Sequence, residues 1–137
     1  NGNVYLKTDG QYRCKIGIKN LYTGSIAGNY DSENNLLTVI LFDKKSDEPY
    51  LNQQWGVHEP VFGGDMVNAY NDGPMDDGSI LGPFNELESS SPAAFLKPDN
   101  ALTHKHTVFH FSGEPENLNG IIQKLFGVGI HQLATIF

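Results

Sequence analysis

Apolar and polar residues alternate with period two over much of the chain, and in a strand alternate side chains share a face. Residues 4–8, the pair Asp9-Gly10 and residues 11–18 predict a two-residue hairpin, because both central positions tolerate positive φ. In its second arm Tyr12, Cys14, Ile16 and Ile18 share a face, with Arg13, Lys15 and Lys19 opposite. Cys14 then reads as a small core residue. Residues 20–35, rich in Gly, Asn, Ser and Tyr, read as a loop or an irregular edge strand. Residues 36–42 are nearly all apolar and predict a central strand buried on both faces. A charged turn over 43–49 leads to a strand over 50–57 that contains Trp55.

The second half repeats the pattern with more polar strands. A loop over 58–64 precedes a strand over 65–70, the turn Asn71-Asp72-Gly73-Pro74 and a loop over 75–82. Residues 84–90 and 91–96 form one long strand or two pieces, with Pro92 at an edge or bulge. After a turn over 97–100, residues 103–111 are dominated by β-branched and aromatic side chains and predict another strand. The period changes only near the end. Pro115 suits a first helical turn, Leu118, Ile121, Ile122 and Leu125 form a one-faced stripe, and Gly127 is a natural stop. Residues 129–137 form a short helical turn or an extended tail. Seven or eight strands and one C-terminal helix predict a mainly β domain, an antiparallel β-sandwich or barrel.

At 137 residues the chain is sized for one domain with a real core. Nine Lys and Arg stand against 16 Asp and Glu, for a formal charge of −7. That balance argues against nucleic acid and anionic membranes as partners, since both need clustered cations. No apolar run approaches the ~20 residues of a membrane helix. One cysteine excludes an internal disulfide and is compatible with a periplasmic or extracellular setting, which is the expectation here. The chain, beginning at Asn1, reads as a piece of something longer.

The residues that could carry chemistry lie in two of the polar strands. On the strand over 103–111, His104, His106 and His110 share one face with Val108. His104 and His106 are ~6.6 Å apart along the backbone, close enough to hold one divalent metal, while His110 lies ~13 Å from His106. A third ligand would come from a neighbouring strand, with Glu86 or Glu88 the obvious candidate. Glu86 and Glu88 share a face of their own strand and could act as an acid–base pair. Together with the histidines they supply the base and the acid that open and close a sugar ring. The bland alternative is a polar sheet surface with Leu87 pointing into the core. Trp55, Tyr70, Phe84, Tyr22 and Tyr30 lie among Asn, Asp and Gln, the combination a carbohydrate surface uses. Asn68, Tyr70, Asp72, Trp55 and His110 are the candidate ligand contacts.

Gly64-Asp65-Met66-Val67-Asn68-Ala69-Tyr70-Asn71-Asp72-Gly73-Pro74 and Leu81-Gly82-Pro83-Phe84-Asn85-Glu86-Leu87-Glu88-Ser89-Ser90-Ser91-Pro92-Ala93 resemble hallmarks of a family of uncharacterised bacterial proteins. So do the stretch from Leu102 to Phe111 and the helix ending Leu125-Phe126-Gly127-Val128. That family resembles the galactose mutarotase-like group, whose fold is a large β-sandwich, the supersandwich. The resemblance implies that these 137 residues are the C-terminal part of a longer chain. It further implies a carbohydrate ligand and, as catalysis, aldose-epimerase-type proton transfer at an anomeric carbon. The group uses a histidine acid and a glutamate base on a concave sheet. The motifs flanking those residues are not present here, so Glu86, Glu88, His104 and His106 are candidates from strand geometry. Residues 98–113 also resemble the first cupin motif, with His110 where a cupin places Glu, and no second motif follows. A metal-binding cupin-like enzyme using His104 and His106 is therefore the alternative. A non-catalytic scaffold that pairs with a second copy or with a missing N-terminal half is another.

Overall fold

The computed structural model describes residues 2–52, 55, 56 and 58–137. Among them the order of elements is β1 (Cys14–Ile18), β2 (Ile26–Asp31), β3 (Leu36–Phe42), β4 (Val67–Asn71), β5 (Asn85–Ser89), β6 (His106–Ser112), α1 (Pro115–Phe126) and α2 (Ile130–Leu133). The strands form two antiparallel three-stranded sheets. Sheet A has the order β1-β4-β5 and sheet B the order β2-β3-β6. The chain is thus a mainly β sandwich with a helical C-terminus.

β3 explains the layering. Its run Leu36-Leu37-Thr38-Val39-Ile40-Leu41-Phe42 is apolar at both parities, so each of its faces needs a partner. Leu37 and Val39 pack with Leu118 and Ile122 of α1 and with Val128. Ile40 and Phe42 pack with Tyr50, Met66 and Val67 on the side of sheet A. Sheet B is therefore the middle layer, with α1 on one face and sheet A on the other. The central strand buried on both faces, read from its composition, is the strand the fold is built around.

α1 starts at Pro115 and stops at Gly127, whose φ of 68° is the left-handed cap conformation and whose N–H bonds the Gln123 carbonyl. Of the predicted stripe, Leu118 and Ile122 are buried and Leu125 is exposed. The helix instead tucks Phe126 against Gly28 of β2, where a Cβ would stand 2.8 Å from the ring and 3.2 Å from the Thr38 carbonyl oxygen. Gly28→Ala is expected to lower stability by about 1–2 kcal/mol through overpacking, read from the shift of the urea midpoint.

Several predicted elements differ. The turn at Asp9-Gly10 forms, with the Gln11 N–H donating to Asp9 Oδ1 and Gly10 at φ 70°. No hairpin follows, because residues 4–8 do not pair with β1. Tyr5 packs on the helix-side core and Asn3 Nδ2 donates to the Phe126 carbonyl, so this segment crosses to the other layer. β1 pairs instead with β4, and the buried Asn71 side chain clamps the turn by accepting from Gly10 N and donating to Tyr12 O. Residues 20–35 contain a regular strand, β2, which forms a local hairpin with β3. Of the strand predicted over 50–57, Tyr50 makes only an isolated bridge to Gly63, and Gln53, Gln54 and Val57 lie outside the described residues. Residues 91–96 are not a strand, and β6 begins at His106, two residues after His104.

Candidate functional site

Strand parity and register place the candidate residues. In sheet A, Val67, Ala69 and Asn71 of β4 sit beside Ile18, Ile16 and Cys14 of β1, and beside Ser89, Leu87 and Asn85 of β5. Val67 joins the core, with Ile18 and Leu87 packed on the same cluster, so this row faces inward. The other parity faces away from that row, and on β4 its members Asn68 and Tyr70 are themselves buried. There Tyr70 stands between Lys15 and Glu86, and Asn68 stands between Gly17 and Glu88.

The outward face has a definite chemistry. Trp55 packs edge-on to Tyr70 with ring centroids 6.4 Å apart, and Phe84 lies against the same ring at 5.9 Å. Trp55 is 65% exposed, whereas Tyr70 between the two aromatics is buried. Lys15 Nζ bonds Glu88 Oε2 at 3.1 Å, and Glu86 is exposed beside Tyr70. Two exposed aromatic rings, two carboxylates and an amine thus share one surface. Register and ring contacts bring Glu86, Glu88, Tyr70 and Trp55 together, while Asn68, between Gly17 and Glu88, is buried. Lys15 joins them, and only the pairing of β1 with β4 reveals it.

Asp72 belongs to the frame of this face and not to its surface. Its side chain is fully buried, and both oxygens are occupied. Oδ1 accepts from the Tyr70 hydroxyl and from Arg13 Nε at 3.2 Å. Oδ2 accepts from the N–H groups of Leu81 and Gly82, each at 2.9 Å. Burial acts to raise its pKa. The Tyr70 hydroxyl, the Gly82 N–H, the Arg13 charge and the Leu81 N–H outweigh that, and the carboxyl titrates at about 2. The same hydrogen bond holds the Tyr70 hydroxyl above its ordinary pKa, with burial acting in the same direction. Proposed from sequence as a ligand contact, Asp72 is a latch joining the start of β1, the end of β4 and the 81–82 loop, with no lone pair directed outward for a ligand.

The histidines lie elsewhere. His104 Nε2 and His106 Nδ1 converge on the Ser89 hydroxyl at 2.9 and 2.7 Å. Ser89 has the inward parity of β5, opposite to Glu86 and Glu88, so the expected hollow holding two carboxylates and two imidazoles does not form. The reason is topological. β5 pairs with β4 in sheet A while β6 pairs with β3 in sheet B, so the two polar strands are not neighbours in one sheet. His110 Nδ1 lies 3.0 Å from Thr38 Oγ1, away from Trp55 and Tyr70, and so is not part of the aromatic face. Among the described residues no group of three or more His, Cys, Asp or Glu gathers to hold a metal. The Ser89 hydroxyl stands at the point where the two imidazole nitrogens meet.

A groove of about 630 Å³ runs past β2, with Ile16, Ile18 and Leu87 of sheet A, Ile26 of β2, and Ile122 and Phe126 of α1 among its walls. Asn29 and Asn85 reach across its end to each other. The walls are mainly apolar, with the Lys7–Asp9 ion pair at 3.2 Å among them.

Compared with protein-family profiles, residues 1–137 match one described as a family of unknown function (DUF6786). The chain belongs to that family. No curated protein and no solved structure matches it. No described helix is long and apolar enough to cross a membrane.

Proposed function

We propose that this domain binds carbohydrate on the outward face of sheet A. The observation that carries this reading is the pair of exposed rings, Trp55 and Phe84, set against buried Tyr70 with Glu86 directly across the strand. Aromatic faces cover the apolar C–H patches of a sugar ring, and fixed carboxylates and amides take its hydroxyls. Glu86, Glu88 and Lys15 supply those polar partners here. The position of Tyr70 is fixed from below by Asp72, so the platform is held rigid before a ligand arrives. The 64–74 and 81–93 motifs resemble those of an uncharacterised bacterial family that itself resembles the galactose mutarotase-like group, and this points to the same ligand class.

Binding without turnover is the expected behaviour. Epimerase-type chemistry needs an acid and a base on two sides of an anomeric carbon. Here the two carboxylates share one side and the imidazoles are turned toward Ser89.

Trp55 is the only tryptophan, so its emission reports this face directly. Titration with monosaccharides and oligosaccharides is expected to give a saturable emission change with Kd of about 1 mM or tighter. Trp55→Ala, followed by calorimetry, is expected to weaken binding by about tenfold or more, with the thermal midpoint nearly unchanged. Emission and heat that stay flat for every sugar up to tens of millimolar would remove the carbohydrate reading.

A further inference from the structure

We infer that β6 is an association edge, and that a second copy of this chain pairs with it antiparallel to make one continuous sheet. Each sheet has two outer strands, and three of the four carry the usual deterrents to edge pairing. β1 carries Lys15 and Gly17, β5 carries Glu86 and Glu88, and β2 carries Gly28 and Asp31. β6, His106-Thr107-Val108-Phe109-His110-Phe111-Ser112, has no Asp, Glu, Lys, Arg, Gly or Pro. It is also partly uncovered on both faces, although Phe111 packs on the helix-side core and His106 bonds Ser89. Val108 is 46% exposed on one side and Phe109 40% on the other, with the Phe109 ring stacked on Phe111 at 6.2 Å.

The backbone shows which groups point outward. Lys105 turns both of its polar groups toward β3, its N–H donating to Asp43 Oδ2 and its carbonyl accepting from Asp43 N. Alternation then directs the N–H and C=O of Thr107, Phe109 and Phe111 to β3, and those of His106, Val108, His110 and Ser112 to the open side. A two-fold pairing must match outward groups with outward groups. The register that uses the whole strand sets His106 against the second copy's Ser112 and Val108 against its His110. Phe109 then faces the second copy's Phe109 at a non-hydrogen-bonded position, where Cα atoms approach to ~4.5 Å and side chains touch most closely.

Charge favours this face for a copy of the same chain. At a formal charge of −7, two copies repel over most approaches. The β6 strip is free of carboxylates, and the antiparallel register brings Lys105 beside Gly113 and Glu114 of the second copy. Both ends of the strip then hold opposite charges, and both residues are exposed.

Sedimentation of the wild-type chain from about 1 to about 200 µM is expected to show a species of twice the 15.1 kDa chain mass. Phe109→Lys and Phe109→Glu each place like charges face to face on the axis, so each alone is expected to run as a monomer. Their equimolar mixture is expected to recover the dimer, at least ten times tighter than either alone. In wild type, hydrogen exchange at the amides of His106, Val108 and His110 is expected to slow as protein concentration rises. A wild-type monomer throughout the range would overturn the inference and leave the edge to a strand from another source. So would a dimer that survives both charged variants, a mixture that stays monomeric, or outward amides that exchange at a rate independent of concentration.

Discussion

Asp72→Asn is expected to lower the thermal midpoint by on the order of 10 °C. The carboxylate accepts at both oxygens, two donors to each. An amide of the same shape must turn its NH2 toward one pair of donors, either the Tyr70 hydroxyl and Arg13 or the Leu81 and Gly82 N–H groups. Whichever pair it faces loses its acceptor in a buried setting, and Arg13 loses its counter-charge. Differential scanning calorimetry at neutral pH measures the effect. The pH dependence has a fixed sign. The folded-state pKa of about 2 lies below the ordinary 3.8, so the stabilisation is fully present above about pH 4 and is lost as pH falls toward 2. Asp9, Asp31 and Asp77 are also lowered, led by the Gln11 N–H, the Asn34 side chain and the Ser79 side chain respectively, and they act in the same direction. Wild-type stability is therefore expected to fall steeply below pH 4, and the Asp72→Asn curve to be flatter there.

Ile122→Ala is expected to cost about 3 kcal/mol, within the 2–5 kcal/mol typical of such truncations. Ile122 is 2% exposed and packs with Leu37, Val39, Leu118 and Val128. The helix around it has Gly120 at mid-length, which costs about 1 kcal/mol against alanine, so α1 depends on this contact more than on its own propensity. The site also borders the groove, which leaves the neighbours little reason to collapse into the new space. Urea unfolding followed by far-UV circular dichroism should show a lower midpoint with an unchanged slope. Leu125→Ala, 41% exposed at the C-terminal end of the same stripe, should cost less than Ile122→Ala, about 1 kcal/mol.

The elements with the strongest local signal were legible in the sequence. β3, α1 with its Pro115 start and Gly127 stop, and the strand cores of β4, β5 and β6 follow from periodicity and breakers. Partnership was not legible. The Asp9-Gly10 turn marks a reversal, but whether residues 4–8 pair with β1 depends on Tyr5 and Asn3 finding the helix, which no local pattern encodes. The same holds for the site. Parity alone put Glu86 and Glu88 on one face and His104 and His106 on another, and only the sheet order decides whether those faces meet. Asp72 looked like a turn residue because its neighbours Asn71, Gly73 and Pro74 are turn residues. Its counter-charge is Arg13, 59 positions away.

The pairings also bear on how the chain reaches this state. β2 and β3 meet across the tight 31–36 turn, where Asp31 Oδ1 accepts the N–H groups of Glu33 and Asn34. β3 and β6, by contrast, join Phe42 to His106, and β1 and β4 join Ile18 to Val67. Bringing such distant segments together precedes any reward from their contact, so folding is expected to be slow for a chain of this size, with the β2–β3 ribbon as the earliest native unit. Until the late-arriving β6 docks, the apolar middle strand lies bare along one edge, and that interval is when the protein is most open to mispairing.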